Sequence, residues 1–137
     1  MSGIDSVDRP SILIVSEFAP YQTNLFALVA ETTCALVSAG ASVTLWMCGF
    51  STMACSSTTG TETSPLLSLD KSRPPTMKGL LVALRKQFLG CLRVVCCAEC
   101  SGERGYSVDR EHFTVGYLAH YSRYVEEADK IYYLGRA

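Results

Sequence analysis

Long apolar runs are missing from this 137-residue chain, and none approaches the roughly 18 residues a membrane-spanning helix requires, so no membrane partner is expected. Net charge is scarce as well. A value of −1 offers no electrostatic attraction for DNA, RNA or a lipid surface, and no nucleic-acid partner is expected. The opening stretch MSGIDSVDRP holds Asp5 and Asp8 and no apolar segment, unlike a secretory signal. Residues 1–10 therefore read as a flexible N-terminus, and the chain as cytoplasmic. A GxGxxG phosphate loop is absent, which leaves a dinucleotide site unsupported. There is a single CxxC spacing, whereas structural zinc normally takes two such pairs. His112 and His120, the only histidines, would complete a metal set only if the helix between them folded back. No metal and no organic cofactor is expected.

What the chain does have is cysteine. Seven thiols, odd in number and irregularly spaced, argue against a disulfide framework. In a reducing compartment they stay free, and buried cysteine then behaves as a small hydrophobe. That reading covers Cys34 within a helical run, and Cys48, Cys55 and Cys91 as packing or loop residues. The stretch RVVCCAECSGERGY (93–106) differs, because Cys96, Cys97 and Cys100 crowd directly behind an apolar run.

The periodicity predicts a three-layer α/β fold of the flavodoxin or Rossmann kind, a single domain over 1–137 with a mostly parallel sheet of about five strands. SILIVS (11–16) and SVTLWM (42–47) read as buried strands flanking a helix over 23–38 that Gly40 ends. Residues 48–76, dense in Ser, Thr, Gly and Pro, read as a long loop. A helix over 77–89, a strand over 91–96, a helix over 111–128 and a strand over 129–135 complete the pattern. Phe113, Tyr117, Tyr121, Tyr124 and Ala128 form the apolar stripe of the third helix. Gly116 is positioned to delay that helix to about Tyr117.

In parallel α/β sheets, reacting groups collect at the carboxyl ends of the strands. Cys96 and Cys97 lie at such an end, and neighbouring strand residues point to opposite faces, so at most one serves a given pocket. A helix start behind them, with Arg104 adding positive charge, predicts a lowered thiol pKa and a nucleophile. Packing alone, a CxxC dithiol of Cys97 and Cys100, and a metal site remain as alternatives.

Three blocks, ILIVSEFAPYQTNLFALVAETTCALVSAGASVTLWMCGF, RVVCCAECSGERGY and GYLAHYSRYVEEADKIYYLG, resemble in order and spacing those of the DsrE/TusD sulfur-relay family. The resemblance implies a DsrE-like fold and a sulfurtransferase or sulfur carrier that holds sulfane sulfur as a cysteine persulfide. It implies a dimer, trimer or hexamer, homo- or hetero-oligomeric, made with related DsrE-family subunits, and sulfur exchange with a small TusA-like carrier protein. Aligned on Gly105, the family's active cysteine falls on Cys97; aligned on the strand end, it falls on Cys96. Cys100 and Arg104 become supporting residues, and Pro20, Tyr21 and Thr23 pocket walls. Ala98-Glu99-Cys100-Ser101-Gly102 departs from the small apolar residues common there.

Two function classes follow. One is a carrier using Cys97; the other is a noncatalytic assembly subunit of the same fold, which a fully buried, unreactive Cys97 would favour. The basic residues Lys71, Arg73, Lys78, Arg85, Lys86 and Arg93 read first as a solvated helix face and second as a docking patch for an acidic carrier. His112 and His120 read as ordinary helix residues without an acidic orienter.

Overall fold

Ser11–Ser16 (β1) is a β-branched run buried along five of its six residues, as a strand covered on both faces must be. In the computed structural model, which describes residues 9–18, 25–57 and 76–135 (the side chains of 25–27 excepted), it is an interior strand of a five-stranded sheet. The expected N-terminal tail up to residue 8, the walls Pro20, Tyr21 and Thr23, and residues 58–75 of the long loop lie outside the described residues.

The elements follow as α1 (Leu25–Ser38), β2 (Ser42–Met47), a 3-10 helix (Gly49–Cys55), α2 (Met77–Gln87), β3 (Leu92–Cys97), α3 (Ala98–Glu103), β4 (Thr114–Gly116), α4 (Leu118–Glu127) and β5 (Lys130–Leu134). The strand order is β4-β3-β2-β1-β5, and every pairing is parallel. Gly40 ends α1 at φ 102°, a left-handed conformation that costs glycine nothing, while Ala41 N–H reaches back to the Leu36 carbonyl at 3.0 Å. Thr76 caps α2, its hydroxyl accepting from Gly79 N–H at 2.9 Å.

Two apolar layers sandwich the sheet. On one face Ile12, Ile14, Val43, Leu45 and Val94 meet Val29 and Val37 of α1 and Leu81 and Leu84 of α2. On the other, Leu13, Val15, Trp46 and Val95 meet Tyr121, Tyr124 and Val125 of α4 and Ala128 just after it. This is the expected three-layer α/β arrangement. Trp46 is wholly buried, with the rings of Tyr121 and Tyr124 at 5.2 and 5.5 Å between centroids.

The third helix is shorter than its stripe predicts. Residues 114–116 form β4, pairing Val95 with Thr114 and Cys97 with Gly116, and α4 begins only at Leu118. Gly116 explains the difference. A Cβ there would lie 2.5 Å from Val95 Cγ1 and 2.8 Å from the Trp46 ring, so the strand packs where only glycine fits. Phe113 consequently turns to the α1/α2 face, and Tyr117 is exposed. Among the described residues, no helix is long and apolar enough to cross a membrane.

Candidate functional site

Parallel pairing brings the carboxyl ends of the strands to one edge, with Ser16 opposite Met47 and Met47 opposite Cys96. The chain leaves that edge differently from each strand. After β2, Cys48 N–H donates to the Ser16 carbonyl at 2.8 Å. Gly49 then turns at φ 54° into the 3-10 helix, where any side chain would press within 3.3 Å of the Glu17 carbonyl. Ser51 in that helix donates to the Phe18 carbonyl at 2.5 Å, and its Oγ lies 2.8 Å from Ser16 Oγ, tying the exits of β1 and β2 together. After β3 there is no loop at all. Cys97, the last strand residue, is also the N-cap of α3, and its Sγ accepts from Cys100 N–H at 3.5 Å.

These exits gather three thiols. The sulfurs of Cys48, Cys97 and Cys100 lie within 4.8 Å of one another, and those of Cys48 and Cys100 are 3.4 Å apart. Cys97 is fully covered, whereas Cys48 and Cys100 are partly exposed at the rim. Glu99 Oε1 lies 3.8 Å from Cys97 Sγ and also accepts from Leu118 N–H at 3.1 Å, joining α3 to α4. Around the rim, the Tyr133 hydroxyl donates to Glu17 Oε2.

The electrostatics run opposite to the expected lowered pKa. Burial pushes the Cys97 thiol up to about 12; the Cys100 N–H opposes this, and the neighbouring thiols reinforce it. Cys48 is pushed up to about 11, by burial first and its contact with Cys100 second. The helix behind Cys97 has only six residues, too little dipole to offset the loss of water. Nor does Arg104 help. Its Nη1 donates to the Cys100 carbonyl at 3.2 Å, and its guanidinium lies over the Phe50 ring at 4.5 Å.

Cys96 sits on the other face, as strand alternation requires, among the α1/α2 core residues. A hydrogen bond from buried Cys55 draws its pKa down, outweighing burial, and Ser101 Oγ at 3.3 Å acts in the same direction. Cys55 keeps its proton, held up by burial and by Cys96. Nearby, Lys78 Nζ lies 2.7 Å from Asp109 Oδ2 and donates to the Ser56 carbonyl at 2.8 Å. His112 Nδ1 is 2.9 Å from the same carboxylate oxygen.

Several sequence readings change here. Lys78 is 2% exposed and belongs to no solvated face. His112 is in a turn rather than a helix, and Asp109 is its orienter, three residues upstream. Asp109, Glu111 and His112 are close enough to suggest a metal set, but Lys78 already neutralises the carboxylate that would anchor it. Cys48, read as a loop residue, is part of the thiol cluster. Its signal was available, because a residue just past β2 faces the end of a parallel β3. Arg85 and Arg93 line a cavity of about 290 Å³ with Thr44, Leu89 and Thr114, at the amino ends of the strands, away from the thiols.

Fold and site together define a class: a three-layer α/β protein with a parallel five-stranded sheet and a thiol cluster at its carboxyl edge. No family model matches the chain, and no curated protein matches its sequence. Solved structures do match. The ychN protein from E. coli superposes with a TM-score of 0.70 at 19% identity, over 91% of this chain and 99% of that one. A conserved protein of unknown function from Bacteroides thetaiotaomicron gives 0.61 at 15% identity, over 98% of both chains. At such identities the likeness speaks for the fold alone, and it is consistent with a DsrE-like fold.

Proposed function

We propose that this protein carries sulfane sulfur as a cysteine persulfide, with Cys100 as the entry thiol and Cys97 as the covered store. One observation carries the reading: thiols from two separate strand exits converge within 4.8 Å, one sealed and two at the rim. A donor persulfide R–S–SH meets Cys100 first. The Cys100 thiolate attacks the outer sulfur, the S–S bond of the donor breaks, RS⁻ leaves with its electron pair, and Cys100 becomes the persulfide. Cys97 then repeats the attack on that outer sulfur. Its proton passes to the departing Cys100 sulfur, which resolves the difficulty of ionising a buried thiol. Stored behind the rim, the persulfide is shielded from water and oxidant. Delivery to an acceptor thiol is the same exchange run outward, and a small TusA-like carrier protein fits that role.

Peptide-resolved mass spectrometry after incubation with a low-molecular-weight persulfide tests the scheme. A gain of one sulfur (roughly 32 Da) is expected on Cys100 and Cys97. Cys100→Ser should lose both, and Cys97→Ser should keep the gain on Cys100. Loading unaffected by Cys100→Ser refutes the scheme.

Full burial of Cys97 supports a second reading, a noncatalytic subunit of an assembly with related chains. Ile131, Tyr132 and Tyr133 of the edge strand β5 are exposed and offer such a surface. Under this reading the protein takes up no sulfur, and its sedimentation mass exceeds that of one chain.

A further inference from the structure

The geometry points to Cys48, Cys97 and Cys100 as a binding site for one thiophilic divalent cation of the zinc type, held by three thiolates with a fourth position left open. Zinc–thiolate bonds of about 2.3 Å set ligand sulfurs about 3.8 Å apart in a tetrahedral site. Here the Cys48 and Cys100 sulfurs are 3.4 Å apart and all three fall within 4.8 Å of one another, a span that includes that spacing.

The ligands also stand on firm ground. Cys48 directly follows β2 and Cys97 ends β3, two strands that pair with each other, and Cys100 is fixed by the first turn of α3, its N–H bound to Cys97 Sγ. Sites on paired elements hold their geometry better than sites on loops. The sequence offers one CxxC, and the missing partner is supplied across the sheet by Cys48.

Charge favours a cation. Glu17 bears on Cys48, and Glu99 lies beside Cys97. The hydroxyls of Tyr121 from α4 and Tyr133 from β5 complete the titratable surroundings. Arg104, the nearby cation, is turned onto Phe50 and the Cys100 carbonyl. An anion there meets carboxylates, whereas a divalent ion is compensated by them. Glu99 is already held by Leu118 N–H, so the fourth position falls to water or a small soft anion. Three protein ligands with an open position are the pattern of reactive rather than purely structural zinc.

This inference is independent of the sulfur reading, because it is read on reduced, sulfur-free protein. The full chain, stripped with a chelator, is titrated with cadmium(II) alone while the ultraviolet sulfur-to-cadmium charge-transfer band is followed. One equivalent should saturate the band, and only a large excess of zinc(II) should bleach it. Cys48→Ser and Cys100→Ser, at the rim where folding is least at risk, should each weaken binding at least about tenfold. Cys34→Ser and Cys91→Ser, outside the cluster, should leave it unchanged. A band that fails to saturate, or one retained in full by Cys48→Ser, overturns the site. Persulfide loading of the metal-free protein is scored separately by mass, so either reading can fail while the other stands.

Discussion

Lys78 and Asp109 show how one buried charge is made tolerable. The ammonium is 2% exposed and finds both a carboxylate and the Ser56 carbonyl. Burial raises the Asp109 pKa, but the hydrogen bonds from Lys78 and His112 outweigh it and hold the carboxyl well below the usual range. Asp109→Ala removes the carboxylate 2.7 Å from a buried ammonium, at a cost on the order of 3 kcal/mol in urea unfolding. Because the folded pKa is depressed, the contribution of Asp109 is complete above the unfolded carboxyl value of about 4 and drains as pH falls below it. Asp109→Asn should therefore flatten the acid limb of the stability profile. The thiols set the alkaline limb. With Cys48 and Cys97 raised from 9.0 to about 11 and 12, their contribution is whole below pH 9 and is lost as pH climbs through those values. Equilibrium unfolding between pH 8 and 11 should show the decline, and Cys48→Ala should reduce it. At neutral pH, Cys97 should resist alkylation in the folded chain and react in urea, since burial both covers the sulfur and holds its proton on.

At the scale of elements, the apolar runs SILIVS and SVTLWM and the glycine stops were plain in the sequence, because strand burial and helix ends depend on local chemistry. β4 was not. Three residues in a helical stripe carry no period of their own, and what makes them a strand is the space beside Trp46 and Val95, a tertiary fact. Gly116→Ala tests this: the new methyl enters that contact, and a loss of about 1–3 kcal/mol is expected by urea denaturation, against a small effect for Gly102→Ala, where an added Cβ meets nothing within 4 Å. The cluster around Cys97 was half legible. Strand alternation separated Cys96 from Cys97, and CxxC joined Cys97 to Cys100. The third thiol and the raised pKa required the register of β2 against β3 and the depth of burial, neither of which is written in one segment.

For the molecule as a whole, the contact between Cys48 and Cys100 joins residues 52 positions apart. A mild oxidant that closes this pair should stabilise the chain by about 4 kcal/mol by constraining its unfolded state. A dithiol-reversible rise in Tm is the expected readout, absent in Cys100→Ser. The same contact gives both the sulfur and the cation proposals a common control, since a closed disulfide abolishes each.

Cys96 and Cys97 are joined by a single peptide bond yet project to opposite sides of the sheet. The β-sheet is thus a partition between two compartments, one holding the hydrogen-bonded pair of Cys55 and Cys96, the other covered Cys97 with Cys48 and Cys100 at its rim. Neighbours in the covalent chain are strangers in chemistry here. A vicinal bridge between them is sterically barred, and whatever reagent reaches one must travel around the edge of the wall to find the other.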